Sequence, residues 1–223
     1  MLKLKKASAP STCISLFAEF VSVTGAAKIL SVEKSKLPYK PQQDPYKQIR
    51  EGIVRVHTGQ DHDVLEQYKR GKPNSRKDAL YQPLKAAYEK WIAAHDIQWV
   101  GLKRSPWQCN GLTVKVKPDL GLRIDGKEYM IKLWFKAAHP SPLCSSTVIR
   151  LLAHACVGEH EGATPAILDV HRRDLLTKLE VSDIDSLLPK EAARFIKIWD
   201  TLTPESAKVA SAAEDSTGQN DLF

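Results

Sequence analysis

Asp119 and Lys132 stand at equal distances either side of the pair Asp125-Gly126. An Asp-Gly pair between runs of alternating apolar residues is a two-residue hairpin signal. Folding the chain about it sets Ile124 opposite Lys127, Leu122 opposite Tyr129, Leu120 opposite Ile131 and Asp119 opposite Lys132. Side chains alternate between the two faces of a strand. The polar face therefore gathers Thr113, Lys115, Lys117, Asp119, Arg123, Lys132 and Lys136, with Met130 and Trp134 among them. Cations so arranged neutralise phosphates, and an indole stacks on a base. The loop Lys103-Arg104-Ser105-Pro106-Trp107 adds two cations and an aromatic ring. Without a ligand, Asp119 facing Lys132 is a cross-strand ion pair contributing about 0.2–1 kcal/mol.

The opposite face of the ribbon carries Leu112, Val114, Val116, Leu120, Leu122, Ile124, Tyr129, Ile131, Leu133 and Phe135, with the period of two expected of a half-buried sheet. Other elements must cover it. The stripe Ile14, Phe17, Ala18, Val21 predicts a helix that Gly25 ends, and Lys28 to Val32 reads as a short strand. A second helix is expected from Asp44 as cap and Pro45 as first residue to Gly59, with Tyr46, Ile49, Ile53 and Val56 on one side. The basic, breaker-rich stretch Lys69 to Lys77 reads as a boundary. A third helix is expected over 83–94, a strand over 97–102, a helix after Pro142, a buried strand over 166–170, and a last helix from about Pro189.

Composition bounds the function. The chain has 223 residues and a formal net charge of +7, which biases it toward anionic partners, with nucleic acid favoured over a membrane surface because no segment is built to insert. Cys13, Cys109, Cys144 and Cys156 have no CxxC spacing and read as reduced thiols of a cytoplasmic protein. Cys144, His154, Cys156 and His160 are a poor zinc set, because His154 and Cys156 are two apart on a helix and point to different sides. The GxSxG elbow, the P-loop, the dinucleotide fingerprint and HExxH are all absent from the sequence.

The order helix, antiparallel strands, helix, strand between residues 83 and 170 resembles the PD-(D/E)XK superfamily, the restriction-endonuclease-like fold. Pro118-Asp119 followed by Lys132 or Lys136 looks like its motif. The resemblance implies an α+β (or α/β) core and, in an active member, a Mg²⁺ ion held by Asp119 and by an acid two residues before the lysine, for phosphodiester hydrolysis beside Lys132. Here those positions are Met130 and Trp134, neither of which replaces a carboxylate on a hard cation. Glu89, on the preceding helix, is the candidate to supply a second oxygen; Glu128 is expected to pair with Arg123.

Gln219-Asn220-Asp221-Leu222-Phe223 resembles the pentapeptide by which bacterial polymerases and repair proteins hold the DNA sliding clamp: Gln219 sets register, and Leu222 and Phe223 fill an apolar pocket. The expected organisation is an N-terminal helical part over 1–74, the α/β core over 75–203, and a disordered tail over 204–223. The expected function is a DNA-associated accessory protein of bacterial replication or repair that needs no cofactor. The alternatives are a Mg²⁺-dependent endonuclease with an altered site and a protein-interaction module.

Overall fold

The computed structural model describes residues 9–59, 76–102, 104–156 and 162–202, with backbone alone for 76–78. The Asp125-Gly126 hairpin forms as expected: both residues have positive φ (49° and 84°), as a turn matching the right-handed twist of its strands requires. It joins β5 (Leu120–Ile124) to β6 (Lys127–Trp134), and the register pairs Leu120 with Ile131, Leu122 with Tyr129 and Ile124 with Lys127.

Among the described residues the fold is α+β, with two mixed sheets and six α-helices. The larger sheet has the order β2 (Ile97–Trp99), β5, β6, β7 (Thr164–Asp169), β8 (Asp174–Leu176). Strand β5 runs antiparallel to both β2 and β6, whereas β6 and β7 are parallel. A parallel pair needs a crossover, and α5 (Pro142–Ala155) supplies it. Ser141 caps α5 by accepting the Cys144 amide, and Pro142 takes the first turn, where no amide proton is needed.

The expected ribbon over residues 112–136 is divided between sheets. Leu112–Val116 is β4 of a second sheet, ordered β1 (Ser11–Cys13), β4, β3 (Ser105–Cys109). The sequence between Trp99 and Leu120 turns aside into a β3–β4 hairpin about Asn110-Gly111, whose φ values of 51° and 89° give it the same kind of turn. The segment from Ser105, expected as loop, is therefore strand. Leu112, Val114 and Val116 are buried as expected, but in a different core from Leu120, Leu122 and Ile124.

Two cores flank the larger sheet. One face, with Leu120, Leu122, Ile131, Leu133, Phe135, Ala166 and Leu168, packs on α3 (Lys47–His57) and α4 (Arg76–Ile92), and Tyr46 stacks on Phe135 at 5.5 Å. The other core is built by α1 (Ile14–Ser22), α5, α6 (Ile184–Thr201) and the small sheet, with Ile167 and Trp134 of the larger sheet reaching it. Phe17, Phe20 and Phe195 meet there, Phe20 and Phe195 edge to face at 5.1 Å. Each such ring stabilises the fold by about 1.5–3 kcal/mol.

Lys28 to Val32, expected as a strand, lies in α2 (Ala26–Lys36). Lys28 there is buried, and its Nζ donates to Glu191 of α6 at 2.5 Å and to the Phe20 carbonyl at 2.7 Å. Residues 11–22 thus share one core with α5 and α6, and the boundary expected at residue 74 falls among residues outside those described. Helices α4 and α6 begin at Arg76 and Ile184 and carry Pro83 and Pro189 in their interiors, each starting earlier than its proline suggests. Helix α3 starts at Lys47, two residues later than expected, with the Asp44 carboxylate accepting the Tyr46 amide at 3.0 Å.

Candidate nucleic-acid interface

Asp119 stands at the start of β5, immediately after buried Pro118. Its amide donates to the Ile131 carbonyl at 2.8 Å, which continues the hairpin ladder and fixes Asp119 opposite Lys132, as expected. The residue is 7% exposed. Oδ2 accepts the Leu133 amide at 3.0 Å and lies 2.9 Å from Lys132 Nζ, which is 3.0 Å from Oδ1. Backbone and ammonium together supply the partners that a carboxylate buried to this degree needs.

Cations outnumber it. Arg50 of α3 and Lys117 at the end of β4 both feel the charge of Asp119, and Arg104, the residue before β3, acts on Lys117. Partial burial, then the nearby charge of Arg104, with further contributions from Lys132 and Arg50, pushes the Lys117 ammonium below its ordinary pKa against the pull of Asp119. For Arg50, burial acts in the same direction, but the charge of Asp119 and the hydrogen bond and charge of Asp44 outweigh it and hold the guanidinium above its usual value. Asp44 joins Arg50 in an ion pair and accepts from Tyr39 Oη at 2.9 Å. Lys117 thus feels the charges of three other cations, Arg104, Lys132 and Arg50, beside a carboxylate whose two oxygens are already engaged, and a phosphate would relieve their mutual repulsion.

Of the expected phosphate-binding residues among those described, Lys117, Lys132 and Arg104 belong to this group. Lys115 lies on the outer face of the small sheet, where its register partners are Pro106 and Cys13. Arg123 sits at the turn end of the hairpin and donates to Glu128 at 2.6 Å, the pairing expected for them. Lys136 pairs with Glu19 of α1 and lies over the Trp134 ring at 5.2 Å. Trp134 is not free to stack on a base: its Nε1 donates to the Ala138 carbonyl at 2.7 Å, and its ring packs on the core beneath α5. The sheet's polar side is covered by that helix. Lys103 and the tail residues Gln219, Leu222 and Phe223 lie outside the described residues.

The residues do not fit a Mg²⁺ ion. Met130, where the second acid would stand, is 0% exposed in an apolar nest with Cys156, Ala163 and Val100. Glu89 is held 2.8 Å from Lys85 on its own helix. Among the described residues no group of three or more His, Cys, Asp or Glu is placed to hold a metal. His154 lies beside Trp107, and Cys144 and Cys156 are buried in separate cores. His160 is outside the described residues.

Arg50 is the member that sequence reasoning missed. Its signal was its place one residue after Ile49 on an amphipathic helix, which by itself distinguishes it from no other surface arginine. No protein-family model matches this chain, and no curated protein matches it in sequence. Among the described residues no helix is long and apolar enough to cross a membrane.

Proposed function

We propose that this chain is a DNA-associated protein of bacterial replication or repair that acts by binding: it grips the phosphate backbone at the sheet edge around Asp119 and holds the sliding clamp through Gln219, Leu222 and Phe223. The reading rests on one observation above others, the gathering of Arg50, Arg104 and Lys132 around Lys117, with Lys132 held by the satisfied Asp119 carboxylate. Asp119 serves there as a scaffold that fixes the Lys132 ammonium at the rim. The strand order and directions of β2, β5, β6 and β7, with α4 before them and α5 as crossover, support a restriction-endonuclease-like ancestry. The Asp119–Lys132 pair favours a nuclease as the second reading, and Met130 opposes it.

The test is fluorescence anisotropy of labelled DNA over a salt series. Lys117→Glu with Arg104→Glu is expected to weaken binding by at least about tenfold and to flatten the log–log salt dependence by about 2. Unchanged affinity and slope would overturn the interface. Mg²⁺-dependent cleavage by the natural protein, abolished by Asp119→Ala, would establish the second reading instead. For the tail, calorimetry of a peptide ending in Gln219 to Phe223 against a purified bacterial clamp is expected to give micromolar binding that Leu222→Ala with Phe223→Ala removes.

A further inference from the structure

A second satisfied carboxylate stands at the same sheet edge. Asp169 closes β7, is 0% exposed, and pairs in register with Trp134 of β6. Its Oδ2 accepts Nδ1 of His139 at 2.9 Å and Nη1 of Arg172 at 3.1 Å, and its Oδ1 accepts the Arg172 amide at 3.2 Å. The Arg172 Nη1 also donates to the Ala137 carbonyl at 3.1 Å. Both partners are rooted on a buried anion, yet about two-fifths of each side chain faces solvent. Nε2 of His139, and Nε and Nη2 of Arg172, have no partner among the described residues.

Asp169 shares a face of the sheet with Asp119, because Lys132 pairs with Ile167 and Trp134 with Asp169. The two carboxylates are two strands apart and two residues displaced along the strand direction, which sets their Cα atoms about 12 Å apart. That is too far for one phosphate to span. The edge lies at the carboxyl ends of the parallel pair β6 and β7, where open sheets with crossover helices hold their ligands.

We propose that His139 and Arg172, positioned by Asp169, form a second phosphate-binding station, so that the ligand of this edge is a polynucleotide chain carrying at least two phosphates and not a single phosphate group. The proposal rests on the phosphate-binding reading of the Asp119 edge. The guanidinium spends one nitrogen on the anchoring carboxylate and keeps its remaining donors for a phosphate, a use to which a planar fork is suited and an ammonium is not. The imidazole, turned by its Nδ1 bond, presents Nε2 beside it toward the phosphate.

The experiment measures binding of the full chain to a labelled oligonucleotide over a salt series, with a nucleoside monophosphate as the single-phosphate probe. Arg172→Gln is expected to weaken oligonucleotide binding on the order of tenfold and to flatten the salt slope by about 1, while affinity for the monophosphate falls much less. His139→Gln keeps an amide donor for Asp169 and is expected to weaken oligonucleotide binding by a smaller factor than Arg172→Gln. Arg172→Lys guards against a folding defect: it retains the charge on Asp169, and is expected to lose affinity with the slope unchanged. Parent-like affinity and slope in these variants, with Lys117→Glu still impaired, would overturn the second station and leave the first. If the parent binds no DNA, or none of these variants nor Lys117→Glu matters, both fall.

Discussion

The ammonium of Lys132 and the carboxylate of Asp119 meet at 2.9 Å across adjacent strands, and the amide of Leu133, one residue on from that lysine, holds the same oxygen at 3.0 Å. The carboxylate is held by the ladder as well as by charge, so it cannot swing away to find water when the lysine is removed.

Lys132→Met is accordingly expected to lower stability by about 1–3 kcal/mol, because it leaves a carboxylate buried with one hydrogen bond. Asp119→Leu combined with Lys132→Met is expected to cost less than the sum of the single changes. Denaturant unfolding of the three variants measures the coupling; a value under about 0.5 kcal/mol would mean that the two residues act as an ordinary surface pair.

Gly121 has no room for a side chain. A Cβ built on it would stand 1.7 Å from the Gly101 carbonyl oxygen and 3.2 Å from the end of Met130, because the chain leaving β2 crosses close over β5. Gly121→Ala must push backbone aside, and is expected to destabilise by about 1–3 kcal/mol or more. Thermal melting checks it: an alanine variant that melts with the parent would contradict the crossing.

His57 sets an acid limit. Its Nε2 lies 2.5 Å from the buried Tyr88 hydroxyl, and burial pushes its pKa from 6.5 down to about 4. Burial also pushes the Tyr88 phenol upward, so the hydroxyl stays protonated and donates to the neutral ring. Below pH 6.5 the unfolded chain takes up a proton that the folded one refuses. The stability contributed by the neutral ring is therefore complete above pH 6.5, and falls as pH drops toward about 4, by on the order of 3 kcal/mol. Urea midpoints across that range measure it, and His57→Gln should flatten the acid limb relative to the parent.

Local signals in the sequence determined much of the framework. Asp125-Gly126 fixed one hairpin and its register, since two residues with positive φ admit few turns, and apolar alternation then assigned Leu120, Leu122, Ile131 and Leu133 to a buried face. The facing of Asp119 and Lys132 followed from the same arithmetic. Helices α1, α3, α4, α5 and α6 were legible from their apolar stripes, and the largest errors fell at the starts of α4 and α6, where a proline sits inside the helix.

Only tertiary structure decided what those elements meet. A period of two marks a strand but does not name its neighbour, so β4 was read into the sheet of β5 although Asn110-Gly111 had already turned it back against β3. Lys28 in α2 was read as part of a strand because neither its helix nor its partner Glu191, far along the chain, announces itself locally. The site divides the same way. Sequence spacing brought Asp119 to Lys132, while Arg50 and Arg104 joined them, and His139 and Arg172 joined Asp169, through packing of segments that no period relates. Contacts within one hairpin are set by bond geometry and residue alternation; contacts between elements are set by how buried surfaces fit, which a one-dimensional pattern does not encode.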